Sequence, residues 1–546
     1  MSTARDPISR TVRGASLVLL ATGGLSRVAP LLDQHGRLLR QFPTEDGYLM
    51  LTIARNLALG LGPTVADGTI VTNGTQPLAT GLFAAAFWLV GADRYWGVLT
   101  VLLVELAIAC TAAHLVWRLG TRTFRHSEHR SELSLLAAGA WFASPLVVQS
   151  TMNCLESGLY AVCVLIVALL IVPGTPKAPG APTMEKAYWA RMGTALGVAF
   201  LARNDGVLLC LAVGFVHLAG KLARSEARLP TRVAELAIAA GIVTLIALPW
   251  LAFNWWGFGH LMPISGQAES LSAEIGGNLW IVPPKLLEYV TLLTPIPTWI
   301  EESPIVVALS TVALVILAAG LTRAGRHAEP TQRALFAVFG TYTALLGAFY
   351  GVYFGAPHFM SRYLFPTAAF FAVAGAALAL SVAGRGGVTL ARIGSAVAVL
   401  AAVGLNVRIY VQGSEHMHFQ VVEWVEANVP DEAWVGAIQS GTLGFFHDRT
   451  INLDGKVNPR ALAARREDAI PAYVAASRID YLVDWAGIAT WHDKAELSST
   501  FELVVEDRAR NLGVLRRRDV ARAAAEAHDG RSPTAELASV GSSQPR

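Results

Sequence analysis

Two adjacent carboxylates, Glu45 and Asp46, open a stretch of sequence with helical periodicity. From Tyr48 to Leu57 the polar residues lie toward one side and the apolar residues toward another, which predicts an amphipathic helix at a membrane interface. The helix dipole favours carboxylates at this end, and a carboxylate can also take a proton from a reacting group. The spacing alone leaves open whether the pair caps the helix or takes part in catalysis.

Further ionisable residues interrupt the apolar segments. Arg203-Asn204-Asp205 separates two apolar stretches, and Glu156 precedes another. His358 and Arg362 are four residues apart, which places them on one face if that stretch is helical. Ionisable groups at membrane depth are costly and usually functional; an ion pair that only stabilises a helix break is the alternative for residues 203–205. The alternatives for Arg362 and His358 are a headgroup anchor and an ordinary surface histidine.

The composition that surrounds these residues is that of an integral membrane protein. The chain has 546 residues, of which 53% are hydrophobic and 15% charged, whereas soluble proteins carry about 25% charged residues. The net charge of +3, without a basic patch interleaved with aromatic residues, predicts no nucleic-acid partner. The four cysteines form no CxxC pair, so neither a disulfide framework nor a zinc site is predicted.

Eleven apolar segments, two of them short, are candidate membrane helices, because a bilayer requires about 20 apolar residues. They cover residues 14–32, 95–117, 132–150, 157–172, 190–202, 206–222, 232–253, 304–322, 334–353, 363–382 and 391–410. The segment 77–91 is short and begins at a proline, so it is expected on the membrane surface or as a re-entrant helix. With this assignment Lys and Arg concentrate in alternate loops, which predicts a cytoplasmic N-terminus.

The same alternation predicts where the other parts of the chain lie. Residues 1–411 form the membrane domain, and residues 33–94 are its first external loop. In residues 412–520 the apolar runs shorten between glycines and charges, which predicts a small extracytoplasmic α/β domain. Residues 521–546 have the composition of a disordered tail. The expected fold is an all-α polytopic membrane protein with juxtamembrane helices and this C-terminal domain, in a bacterial plasma membrane.

Six short motifs fall in or beside the predicted external loops. They are Glu45-Asp46-Gly47-Tyr48 followed by Ala54-Arg55-Asn56-Leu57, Thr72-Asn73-Gly74-Thr75-Gln76-Pro77-Leu78, Asn153-Cys154-Leu155-Glu156-Ser157-Gly158, Leu201-Ala202-Arg203-Asn204-Asp205-Gly206, Phe258-Gly259-His260-Leu261-Met262-Pro263 and Arg362-Tyr363-Leu364-Phe365-Pro366. In this order they resemble the GT-C superfamily of polytopic glycosyltransferases, which use polyprenyl-phosphate-linked sugars and include the aminoarabinose, protein-mannose and arabinofuranose transferases. Asn204-Asp205 stands where the family carries Pro-Glu.

The resemblance implies an inverting transfer of a sugar from a polyprenyl phosphate to a hydroxyl of an extracytoplasmic lipid, glycan or protein. The partners are then the donor, the acceptor and the lipid bilayer. Asp46 is expected as the base, and Glu45 either orients it or exchanges roles with it. Glu156 is expected to bind acceptor hydroxyls or a divalent cation; no resident cofactor and no metal ligand set are predicted.

The resemblance also implies donors for the phosphate that leaves with the lipid, because negative charge develops on it and arginine can bind it through two nitrogens. Tyr48, Asp205 and Tyr363 complete the predicted site. The predicted phosphate contacts are Arg55, Arg203, His358 and Arg362.

Two other functions remain open from the sequence. A secondary transporter also has many spans and intramembrane charges, but it predicts inverted repeats and groups at the bilayer midplane, whereas the acids here cluster near one membrane surface. An inactive relative that serves as a scaffold for envelope glycan assembly is the other alternative.

Overall fold

The computed structural model describes residues 7–33, 36–173, 186–222, 228–291, 295–296, 298–326, 328–413 and 417–520. Its contacts divide the chain into two compact units. One comprises Met1–Pro63 and Asn73–His416, and the other Thr64–Thr72 and Met417–Arg546. The predicted tail, residues 521–546, lies outside the described residues.

The first unit is helical throughout its described residues. Its helices are α1 Pro7–Val28, α2 Arg37–Gln41, α3 Glu45–Ala58, α4 Pro77–Leu89, α5 Arg94–Thr123, α6 Arg130–Ala143, α7 Pro145–Thr151, α8 Ser157–Ile171, α9 Lys186–Ala202, α10 Gly206–Leu218, α11 Leu229–Phe258, α12 Ile264–Ser270, α13 Val282–Thr291, α14 Thr298–Glu301, α15 Pro304–Gly325, α16 Pro330–Ala348, α17 Met360–Leu364 and α18 Ala368–Asn406. Short 3₁₀ or π turns flank several of them, among them Phe349–Tyr353 and Pro357–Phe359.

Seven helical segments within the described residues are long and apolar enough to cross a membrane, or eight if α6 and α7 form one bent span. Three shorter apolar helices, α4, α8 and α10, accompany them. The predicted polytopic membrane fold is confirmed, whereas the predicted count of eleven spans is not. The predicted span 132–150 is broken by a 67° bend. The predicted spans 363–382 and 391–410 correspond to two separate candidate spans, Pro357–Ala379 and Gly387–Val411, on the two sides of a kink in α18 at the non-helical Gly387.

The bend between α6 and α7 follows from Pro145. The residue before a proline is pushed out of the helical conformation, and Ser144 accordingly has an extended backbone, φ −61° and ψ 126°. The last carbonyl groups of α6 therefore lose their helical partners. Three side chains from distant helices donate to carbonyls at the break: Arg27 to Phe142, Asn406 to Ala143 and Tyr410 to Pro145, each at 2.8 Å.

We expect Arg27→Leu to lower the stability of the protein. The fully buried guanidinium also donates to Thr151 Oγ1 at 3.0 Å and 3.3 Å, so its loss leaves buried acceptors unsatisfied. Each such acceptor costs about 1–3 kcal/mol. Thermal unfolding in detergent measures the change, with Arg10→Leu, on the exposed face of the same helix, as the control. Equal melting temperatures for the two variants would contradict the stabilising role of Arg27 at the bend between α6 and α7.

The second unit has the α/β fold that the sequence predicts for the C-terminal region. Its main sheet has the order β4-β3-β5-β7-β6, in which β3, β4 and β5 are parallel and β7 and β6 are antiparallel. A separate hairpin is formed by β1 Thr64–Val65 and β2 Ile70–Val71. The remaining elements are α19 Phe419–Asn428, β3 Val435–Ala437, α20 Gly441–Phe446, β4 Thr450–Asn452, α21 Pro459–Arg466, α22 Ile470–Ala476, β5 Tyr481–Asp484, α23 Ala495–Ser498, β6 Phe501–Asp507 and β7 Leu512–Arg517.

Candidate active site

The N-terminus of α3 packs directly on the turn that carries Glu156. Thr44 caps the helix, because its hydroxyl accepts a hydrogen bond from Gly47 N at 3.1 Å. A Cβ on Gly47 would lie 2.3 Å from Asn153 O, so only glycine allows this approach. Asp46 stands in the first turn of α3 and is thereby brought to the side of Glu156.

A buried carboxylate from α5 holds the other side of this turn. Cys154 has a left-handed backbone, with φ +57°. Its amide donates to Glu105 Oε2 at 3.1 Å, and Glu105 is only 3% exposed. Glu105 was not among the predicted site residues, although an acid in the middle of an apolar segment is a recognisable signal.

Arg362 joins two of the three predicted catalytic carboxylates, Asp46 and Glu156. Its Nη1 donates to Asp46 Oδ2 at 2.9 Å, and its Nη2 lies 3.2 Å from both oxygens of Glu156. The Glu156 side chain is 1% exposed, whereas those of Arg362 and Asp46 are 24% and 21% exposed. Asp46, Arg362 and Glu156 therefore form a partly open cluster, in which the carboxylate of Glu156 is buried and that of Asp46 is accessible.

A second arginine supports this cluster from the break between α9 and α10. Arg203 pairs through Nη2 with Asp205 Oδ2 at 3.0 Å, and its Nε lies 3.9 Å from Glu156 Oε1. Its Nη1 donates to the backbone carbonyl of Arg362 at 3.0 Å. The Arg203–Asp205 ion pair does lie at a helix break, as expected if it only stabilised that break. Arg203 also contacts Glu156 and Arg362 of the predicted site, however.

Tyrosines close the cluster on one side. Tyr350 donates to Asp205 Oδ2 at 2.7 Å and stacks on Tyr363, with the ring centroids 3.9 Å apart and the planes at 5°. Tyr160 lies beneath the Arg203 guanidinium at 5.6 Å. Tyr363 was predicted from its motif. Tyr160 was not predicted as a site residue, although it lies four residues after Glu156 in the sequence. Tyr350 was missed because no spacing in the sequence connects it to the charged residues.

The other predicted residues have different surroundings. Tyr48 is fully buried and donates to Leu39 O at 2.6 Å; burial raises the pKa of its phenol, which favours the protonated donor. Arg55 donates to Ala92 O at 3.0 Å, and the His358 ring lies 4.1 Å from that of Phe359. Glu45 is half-buried beside Asp46.

Several buried acceptors near these residues have no hydrogen-bond partner among the described residues. They are Asn153 Oδ1, Ser157 Oγ, Asn204 Oδ1 and Asp205 Oδ1. Buried polar atoms are nearly always paired with protein or water, so these atoms can accept from a ligand hydroxyl or a water molecule. In the same described ranges no group of three or more His, Cys, Asp or Glu residues could hold a metal ion; the divalent cation stays a prediction.

Three comparisons with known proteins bear on this arrangement. Residues 406–524 match a family model described as a domain of unknown function, DUF8728. No curated protein is similar in sequence to the chain. Several solved structures are similar to the chain in fold.

ArnT from Cupriavidus metallidurans, solved bound to undecaprenyl phosphate, has a TM-score of 0.58 at 13% identity, over 92% of this chain and 98% of that one. The archaeal oligosaccharyltransferase AglB from Archaeoglobus fulgidus, in complex with an inhibitory peptide and a dolichol-phosphate, has a TM-score of 0.54 at 13% identity, over 89% and 72%. The oligosaccharyltransferase from Archaeoglobus fulgidus in the apo form has a TM-score of 0.52 at 13% identity, over 88% of this chain and 71% of that one. The predicted resemblance to the GT-C superfamily is thus confirmed at the level of the fold.

Proposed function

We propose that this protein is an inverting glycosyltransferase, which moves a sugar from a polyprenyl-phosphate donor to a hydroxyl of an extracytoplasmic lipid, glycan or protein. The observation that carries the proposal is the bridge from Asp46 through Arg362 to Glu156, with Arg203 and Asp205 behind it. Acids for the acceptor and cations for the phosphate meet there in one partly open cluster. The fold that it shares with ArnT and AglB, which were solved with polyprenyl phosphates, agrees with this chemistry.

The transfer requires a base for the acceptor and a cation for the leaving group. Asp46 is the more exposed acid, so it takes the proton of the acceptor hydroxyl as the oxygen attacks the sugar carbon. The bond from that carbon to the phosphate oxygen breaks, and the polyprenyl phosphate leaves with both electrons. The partly exposed Arg362 stabilises the phosphate, while buried Arg203 fixes the Arg362 backbone.

The remaining predicted residues take supporting roles in this proposal. Glu45 orients Asp46, and Glu156 binds acceptor hydroxyls or a divalent cation. Arg55 and His358 are further phosphate contacts that join when the donor is bound. Asp205 holds Arg203 through the ion pair, and Tyr363 stacks on Tyr350 with its ring centroid 6.0 Å from the Arg203 guanidinium carbon.

Exposed aromatic residues support a position at a membrane surface. Trp88 ends α4, Trp96 begins α5, and Trp255 and Trp256 end α11, with exposed fractions between 56% and 83%. Tryptophan is enriched at the level of the lipid headgroups. Asn73 connects this region internally, because it bonds to Asn254 in α11 at 3.0 Å. We place this surface, the site and the C-terminal domain outside the plasma membrane, with the N-terminus in the cytoplasm.

Sugar transfer by the purified protein tests the proposal. The protein in lipid nanodiscs is incubated with radiolabelled polyprenyl-phosphate sugars and an envelope extract as acceptor. Asp46→Asn removes the base and is expected to lower the rate about 10²- to 10⁴-fold. Glu156→Gln is the second variant, and Glu274→Gln, at an exposed acid of the same unit, is the matched control.

Two outcomes would contradict the proposal. Folded Asp46→Asn protein that fully complements a deletion strain would favour the scaffold. Substrate counterflow across proteoliposomes without any transfer of label would favour the transporter.

A further inference from the structure

A buried carboxylate on α13 lies behind the segment that carries Arg362. Glu288 is fully buried, and its two oxygens have different partners. Oε1 accepts from Lys285 Nζ at 3.0 Å and from Ile296 N at 2.8 Å. Oε2 accepts from Ser361 Oγ at 2.9 Å. A buried carboxylate with three donors from three directions has little freedom to move.

The cation beside it is itself shared between two acids. Lys285 Nζ lies 3.0 Å from Glu288 Oε1 and 2.5 Å from Glu301 Oε2, and all three residues are buried. Burial raises the pKa of Glu288, whereas Lys285 and the donors Ile296 N and Ser361 Oγ act in the opposite direction. The network anchors α13 to the end of α14 and leaves Oε2 for the Arg362 segment.

The Arg362 segment requires such an anchor because its own helix is short. α17 has five residues, Met360–Leu364, and follows a 3₁₀ turn. Ser361 is held at its hydroxyl by Glu288 and at its carbonyl by the Tyr289 hydroxyl. The next carbonyl, that of Arg362, is held by Arg203. Ser361 and Arg362 are thus held by hydrogen bonds from or to three side chains, those of Glu288, Tyr289 and Arg203. None of these three side chains reacts in the proposed transfer.

From these contacts we infer that Glu288 is a positioning residue, which fixes Ser361 so that the adjacent Arg362 guanidinium reaches Asp46 and Glu156. Its effect on sugar transfer rests on the proposed function, whereas its effect on the Arg362 segment does not. Glu288 touches none of the predicted reacting groups, so its loss is expected to misplace Arg362 rather than to remove a chemical group. A small displacement of a positioned group can cost about 100-fold in rate.

Hydrogen–deuterium exchange tests the placement without reference to activity. Glu288→Ala and Ser361→Ala are expected to speed amide exchange in the peptide that covers α17, and the double variant to add nothing to the larger single effect, because both remove the same contact. Ser361→Thr keeps the hydroxyl and is expected to restore slow exchange. Glu274→Ala is the matched control, since this acid is exposed in the same unit.

Kinetics with the labelled donor then separate positioning from general destabilisation. We expect Ser361→Ala and Glu288→Ala to lower kcat about 10- to 100-fold with little change in the KM for the acceptor, and Ser361→Thr to keep most of the wild-type kcat. Unchanged exchange of the α17 peptide in both single variants overturns the inference, and so does an additive double variant. Wild-type protein that transfers no sugar overturns the proposed function instead, and the exchange data still decide the role of Glu288.

Discussion

Arg203→Leu is expected to abolish sugar transfer and to lower the melting temperature sharply. The guanidinium is 4% exposed, and it compensates Asp205 and Glu156 while it holds the carbonyl of Arg362. Removal of one partner of a buried ion pair leaves an uncompensated charge, which lowers the free energy of unfolding by about 3–5 kcal/mol. Thermal unfolding and the labelled-donor assay measure the two effects on the same preparation.

A second substitution separates the two losses. In Arg203→Leu with Asp205→Asn the orphaned charge is removed, so stability is expected to recover in part while transfer stays lost. Arg191→Leu, at an exposed arginine of α9, the helix that ends just before Arg203, is the control. If Arg203→Leu behaves like Arg191→Leu in both measurements, Arg203 has neither the structural nor the proposed chemical role.

Gly47→Ala is the other change with a large expected effect. An added Cβ at 2.3 Å from Asn153 O must separate the N-terminus of α3 from the turn before α8. Asp46 and Glu156 stand on the two sides of that contact, so Arg362 could no longer bridge them at 2.9 Å and 3.2 Å. We expect transfer to fall at least about 100-fold, because displacements near 1 Å have such effects.

The control for this change is Gly81→Ala in α4, where nothing lies within 4 Å of the added atom. Alanine is a better helix former than glycine, so Gly81→Ala is expected to leave activity unchanged and stability equal or higher. Gly47→Ala protein that transfers sugar at the wild-type rate would show that the close approach of α3 is not needed.

Helix periodicity and apolar length predicted the polytopic fold, because in lipid a helix satisfies its backbone groups within a single segment. The prediction failed where one residue changes the course of a helix. The predicted span 132–150 bends at Pro145. Such breaks depend on tertiary partners for the freed carbonyls, which no local window of sequence contains.

The site was predictable to the extent that its residues lie in motifs. Asp46, Glu156 and Arg362 come from three such motifs, and the structure joins them through hydrogen bonds. Arg203 and Asp205 were also predicted from a motif, whereas supporting residues outside the motifs, such as Tyr350 and Glu288, were not, because they contact the site from other parts of the chain. Glu288, for example, reaches Ser361 across 73 positions of sequence, and neither residue has a neighbour pattern that marks it.

The bend before the Glu156 turn also has a consequence for synthesis of the chain. Its carbonyls are completed by Asn406 and Tyr410, which a ribosome adds more than two hundred residues after Pro145. During translation α6 and α7 must therefore enter the bilayer with this joint unfinished, and a nascent chain that ends before α18 lacks two of the three groups that close it. The bend can therefore acquire all three of its side-chain donors only after α18 and Tyr410 have been synthesised.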